Sequence, residues 1–142
     1  MLKRYTLPPM QGLWMREETK FERWLDVELA VLRVRAELRE IPVATYESIK
    51  RDAQVTLEDI EKLEREFDHD MSAFVVGVQN WLERKGAHEV KGEFHKGLTS
   101  YDVEDPAFIL MLREAAEHIL EALHELKETL LARAKEHEWS FM

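Results

Sequence analysis

At 142 residues the chain is long enough for one domain with a real core, and a net charge of −9 argues against a nucleic-acid binder, which needs a basic face. It has no cysteine, which removes disulfides, thiolate chemistry and Cys-ligated zinc. No apolar run approaches the roughly 18 residues of a membrane helix, and Met1-Leu2-Lys3-Arg4-Tyr5 lacks a secretory leader's apolar region, so a soluble cytoplasmic protein is expected.

The opening, Arg4 to Pro9, is expected to be extended, because two prolines remove backbone donors and restrict the residues before them. From Glu17 a helical pattern begins. Phe21, Leu25, Leu29, Leu32 and Ala36 form one stripe, and Trp24, Val27, Val31, Val34 and Leu38 form another, so this helix should be broadly buried. Glu17 and Glu18 at its start, with Arg33, Arg35 and Arg39 at its end, complement the helix dipole, and Pro42 should terminate it.

A short helix is expected over Val43 to Ala53. Thr56 with Asp59 three residues on has the form of a capping box, opening a helix that carries Leu57, Ile60, Leu63 and Phe67. Asp70 is the expected cap of the next helix, whose apolar side is Met71, Phe74, Val75, Val78, Trp81 and Leu82, with Gly86 as its stop. Ala87 to Gly97 reads as a loop with room for one weak extended pair. No strand period persists elsewhere, so the fold class is all-α.

Leu98-Thr99-Ser100 then precedes the longest helical pattern in the chain. Hydroxyls and free N–H groups there could clamp an anion or simply cap the helix, and spacing alone favours the cap. Pro106 would cost about 3 kcal/mol inside a helix. A short turn over Ser100–Glu104 is therefore expected, then a fresh start with Asp105 as cap and a helix over about 106–137. Ile109, Leu112, Ala116, Ile119, Leu123, Leu126 and Leu130 recur three and four residues apart, which is a coiled-coil seam. Such a helix outruns the small domain before it, so partners from other copies or from further chain are expected. The division this suggests is a helical domain over 1–98 and, over 99–142, the truncated start of a helical bundle.

Taken in order, Arg4-Tyr5, Pro8-Pro9-Met10, Trp14, Lys20-Phe21, Trp24-Leu25, Val27-Glu28, Ile41-Pro42, His69-Asp70 with Ala73-Phe74, and His95-Lys96-Gly97-Leu98-Thr99-Ser100-Tyr101-Asp102-Val103 resemble the N-terminal part of the adenylosuccinate lyase family, within the aspartase/fumarase superfamily. The resemblance spans nearly the whole chain. It implies an all-α enzyme with a bundle of long helices shared in a homotetramer. The implied reaction is a β-elimination that releases fumarate from a succinyl-bearing nucleotide in purine biosynthesis, with no metal or organic cofactor.

Residue by residue, the resemblance implies that Arg4 and Tyr5 hold the nucleotide phosphate, and that His69 and Asp70 contact substrate. Thr99 and Ser100 would grip a carboxylate of the succinyl group, with His95, Asp102 and Lys20 in support. Asp68 is counted among the substrate-binding residues but stands where the family carries a basic or neutral residue, Tyr101 replaces a small hydroxyl residue and Pro106 a threonine. The acid histidine and base serine fall in family segments that this sequence does not contain, so no catalytic acid or base is assigned here and the chain alone is expected to be inactive. Two other readings stay open: a paralogous fumarate-releasing lyase with a different substrate, motivated by Asp68 and Tyr101, and a non-catalytic helical interaction module.

Overall fold

The structure, a computed structural model, describes residues 8–141. Among them are six α-helices and no strand: α1 (Pro8–Trp14), α2 (Glu17–Glu37), α3 (Val43–Asp52), α4 (Leu57–Phe67), α5 (Asp70–Arg84) and α6 (Ser100–Glu136). The all-α expectation holds. A single 3₁₀ turn, Lys91–Glu93, stands where an extended pair was expected, and Phe94 behind it is buried and pins the loop to the core.

The helix boundaries show local chemistry at work. Thr56 caps α4 by accepting the Asp59 N–H, as its spacing predicts. Pro8 and Pro9 start α1 instead of holding the chain extended, since the first helical turn needs no N–H donors. Helix α2 ends at Glu37, before Pro42, because Arg39 takes a left-handed φ of 62°; Pro42 instead precedes α3 as its cap position. Gly86, with φ at 82°, closes α5 as expected.

The core is where α2, α5 and the base of α6 meet. Phe74 is fully buried among Phe21, Trp24 and Phe94, with ring centroids 5.4 Å from Trp24 and 5.9 Å from Phe94. Of the two stripes expected on α2, the Phe21, Trp24, Val27, Leu32 and Ala36 positions are buried, whereas Val34 and Leu38 face solvent. At Gly77 on α5 an added Cβ would lie 2.8 Å from Cγ2 of Val55, in the segment between α3 and α4, so that segment sits against α5 where a side chain is missing. Gly77→Ala would gain about 1 kcal/mol of helix propensity and lose about 1–3 kcal/mol to overpacking. A net loss of about 1 kcal/mol in urea denaturation is the expected outcome.

Helix α6 is continuous from Ser100 and contains Pro106, so the break expected at Asp105 does not occur. The Asp102 carboxylate reaches back to the Thr99 N–H at 2.8 Å and the Thr99 hydroxyl at 2.9 Å, and this local start wins. Asp102 and Pro106 are both exposed, so water can satisfy the carbonyl that the proline leaves without a donor. With 37 residues, α6 is about 55 Å long at 1.5 Å per residue. Val103, Ala107, Met111 and Ala115, four residues apart, bury its first half against α1 and α2. Past His118 every described residue is exposed, including Ile119, Leu120, Leu123, Leu126, Leu130 and Leu131. The uncovered seam is as the sequence predicts.

Candidate functional site

The junction between α4 and α5 presents the first group of site residues. Asp68 ends α4 in a left-handed conformation with φ at 50°. His69 is the N-cap of α5, its Nδ1 accepting the Ser72 N–H at 3.4 Å. The cap expected at Asp70 thus sits one residue earlier, because the imidazole reaches the free N–H and Asp70 is already helical. A neutral His69 bound in this way carries its proton on Nε2, which leaves a donor for a ligand oxygen.

Asp70 does not orient that ring. Its Oδ1 is 3.8 Å from His69 Nδ1 and instead accepts the Met71 N–H at 2.8 Å, while Oδ2 pairs with Lys20 Nζ at 2.9 Å. Burial pushes the Asp70 carboxyl up, but the lysine, the Met71 N–H and the neighbouring imidazole together hold it below the usual carboxylate range. Lys20 lies over the rings of Phe21 and Trp24, 4.6 and 4.7 Å from their centroids. Both partners are more than a third exposed, so screening limits the pair to less than about 1 kcal/mol. Because Asp70's folded value is depressed, this contribution is present above about pH 4 and fades as pH falls through that value. Lys20→Met should therefore cost a fraction of a kcal/mol at neutral pH and progressively less as the pH is taken below about 4, as read by urea denaturation across that range.

The start of α6 faces this junction. Glu64, Asp68, His69, Asp70, Ser100, Tyr101 and Glu104 line a cleft of about 400 Å³. His69, Asp70 and Ser100 are thus brought together. Thr99 is not among the lining residues, its hydroxyl being spent on Asp102. Lys20 lies in an adjoining cleft of about 720 Å³ that shares Glu64, Asp70 and Glu104. Arg4 and Tyr5 lie outside the described residues. The walls are acidic: four carboxylates face the smaller cleft, and Lys20 next door is already engaged.

His95 lies in the turn before Ser100 and Asp102 in the first turn of α6. The Thr99 N–H and hydroxyl hold the Asp102 carboxyl below the usual range, with a smaller contribution from the nearby His95. His95 is anchored by Glu28 of α2, a residue the motif reading quoted without a role. Glu28 Oε1 is 2.5 Å from His95 Nδ1, and Oε2 accepts the His95 N–H at 3.2 Å. Burial pushes the Glu28 carboxyl up, against the pull of the His95 ring and backbone N–H. The signal was available: Trp24, Glu28, Leu32 and Ala36 recur every four residues, so an acid stands in a row that is otherwise buried and apolar.

Fold and cleft define an all-α protein whose last long helix has the uncovered seam of a bundle helix. The chain is 42% identical over 130 residues to the adenylosuccinate lyase of Thermotoga maritima, a match covering 92% of this chain and 29% of that one. It is 37% identical over its whole length to the adenylosuccinate lyase of Synechocystis and 33% to that of Bacillus subtilis, covering 32% of each. No family model matches. The chain belongs to the adenylosuccinate lyase family, and spans about a third of the length of the curated relatives it matches.

Proposed function

We propose that this chain supplies one wall of an adenylosuccinate lyase active site, as the N-terminal part of a cytoplasmic, homotetrameric enzyme of purine biosynthesis. In that reading residues 1–98 form the first domain and 99–142 begin the helical bundle. A base removes the proton from the carbon beside a succinyl carboxylate, the carbon–nitrogen bond breaks, the leaving nitrogen is protonated and fumarate departs. The acid and base come from chain beyond this sequence. What these residues contribute is binding: the Ser100 hydroxyl and His69 Nε2–H donate to anionic oxygens of the substrate.

The observation that supports this reading is the cleft shared by the His69–Asp70 step and Ser100, residues that lie far apart in sequence. Its acidic lining could not hold a substrate bearing two carboxylates and a phosphate unaided. Cations from Arg4 and from other segments or subunits are needed, in keeping with a site assembled from several pieces. The Asp68 carboxylate on the same cleft favours a second reading, a related fumarate-releasing lyase whose substrate carries no phosphate at that position.

The test is a chimera in which this chain replaces the matching part of the Thermotoga maritima enzyme. Fumarate release from adenylosuccinate is expected, and His69→Ala or Ser100→Ala should each lower kcat/KM by about 10- to 100-fold, the worth of a hydrogen bond to a charged group. An active chimera indifferent to both substitutions would overturn the site assignment. A folded but inactive one would point to the second reading. The chain by itself should release no fumarate above background.

A further inference from the structure

The Glu28 carboxylate is 1% exposed and, among the described residues, both its hydrogen bonds go to His95. The His95 side chain is 18% exposed, and its Nε2 makes no hydrogen bond among the described residues. Its backbone takes a left-handed φ of 62°, uncommon for a residue with a side chain, and its carbonyl accepts the Leu98 N–H at 3.4 Å. A buried acid costs several kcal/mol to desolvate, and an apolar residue of similar volume often serves stability as well or better. Packing alone therefore does not account for it. A ring tied by one nitrogen to a fixed carboxylate, with the other left open, is the arrangement that sets a histidine's tautomer and direction.

We infer that Glu28 is a positioning residue: it holds His95 in the left-handed turn before Thr99 and Ser100, and fixes its proton on Nδ1 so that Nε2 is left as the ring's open, accepting nitrogen. An ionised carboxylate can only accept, and it must satisfy both the backbone N–H and the ring. The ligand class that Nε2 meets rests on the proposed lyase function: a neutral ring held this way can only accept at Nε2, from an N–H or O–H of the ligand, and only the imidazolium could donate there to an anionic oxygen. The tautomer itself does not rest on that reading.

Glu28→Gln makes a sharp test because the amide has only one acceptor. The His95 backbone N–H cannot reverse its role, so it takes the amide oxygen. The amide NH₂ then faces Nδ1, which must become the acceptor and send its proton to Nε2. Ring nitrogen chemical shifts of the ¹⁵N-labelled chain, recorded in alkaline solution where imidazole is neutral, report the tautomer directly. Nδ1–H is expected in the wild type and Nε2–H in the glutamine variant. An Nε2–H wild type overturns the inference whether or not the variant folds, and so does a folded variant that keeps Nδ1–H. In an active chimera, Glu28→Gln should also lower kcat/KM by about 10- to 100-fold. An inactive wild-type chimera would sink the adenylosuccinate reading and leave the tautomer result standing.

Discussion

Replacing Leu123 and Leu126 together with glutamate should convert a self-associating chain into a monomer without unfolding its core. The two leucines are 54% and 53% exposed and lie on the part of α6 where no residue is buried. Their neighbours in the seam, Ile119 and Leu130, are 52% and 59% exposed. Burying such a side chain contributes roughly 1.5–3 kcal/mol, so a seam of this length left in water forfeits an amount comparable to the ~5–15 kcal/mol that holds a domain together. The core around Phe74 lies at the opposite end of α6 and does not depend on these positions. A charge at each of two adjacent seam positions would have to be desolvated in any helical bundle, which removes the association and adds a penalty. Light scattering should therefore show an oligomer for the wild type and a monomer for the double variant, with circular dichroism showing most of the helicity retained. A wild type that is a clean monomer at tens of micromolar would refute the assignment of the seam.

How far the sequence reaches is clear from particular residues. The seam on α6 was readable because a stripe that no element of the same chain can cover leaves its period intact in the sequence. Thr56, Gly86 and the all-α class were readable for the same reason: each is a local signal with no tertiary competitor. The failures are places where two local signals compete. Pro106 argued for a break, yet the Asp102 carboxylate had already started the helix at Ser100. Pro8 and Pro9 argued for extended chain, although prolines are as well suited to a helix's first turn. Within the cleft, His69, Asp70 and Ser100 carried motif signals, whereas Glu64 and Glu104 look like any solvated helix acid until α4 and α6 are brought face to face. Thr99 illustrates the limit from the other side. Its hydroxyl was a candidate for an anion, and a carboxylate of its own helix has taken it.

The buried pair supplies the other large effect. His95→Ala removes the ring donor to a carboxylate that is 1% exposed and leaves only the backbone N–H of residue 95. Removing the donor from a buried charged acceptor costs at least about 1–3 kcal/mol, because the survivor stays desolvated without compensation. Here the survivor has an escape, since Glu28 can take up a proton. Burial already pushes its carboxyl up, and the His95 ring opposes that push, so deleting the ring drives the folded-state value higher still. A carboxyl whose folded value lies above its unfolded one gives stability that is fully present below the unfolded value, near about pH 4.3, and lost as pH rises through the folded value. The variant's deficit should accordingly be largest at neutral and alkaline pH and shrink as the solution is taken towards pH 4. Urea denaturation of both proteins across that range measures it. A deficit that stays constant with pH would mean that the loss is one of packing around Phe94 and the turn, and that Glu28 is not the group left uncompensated.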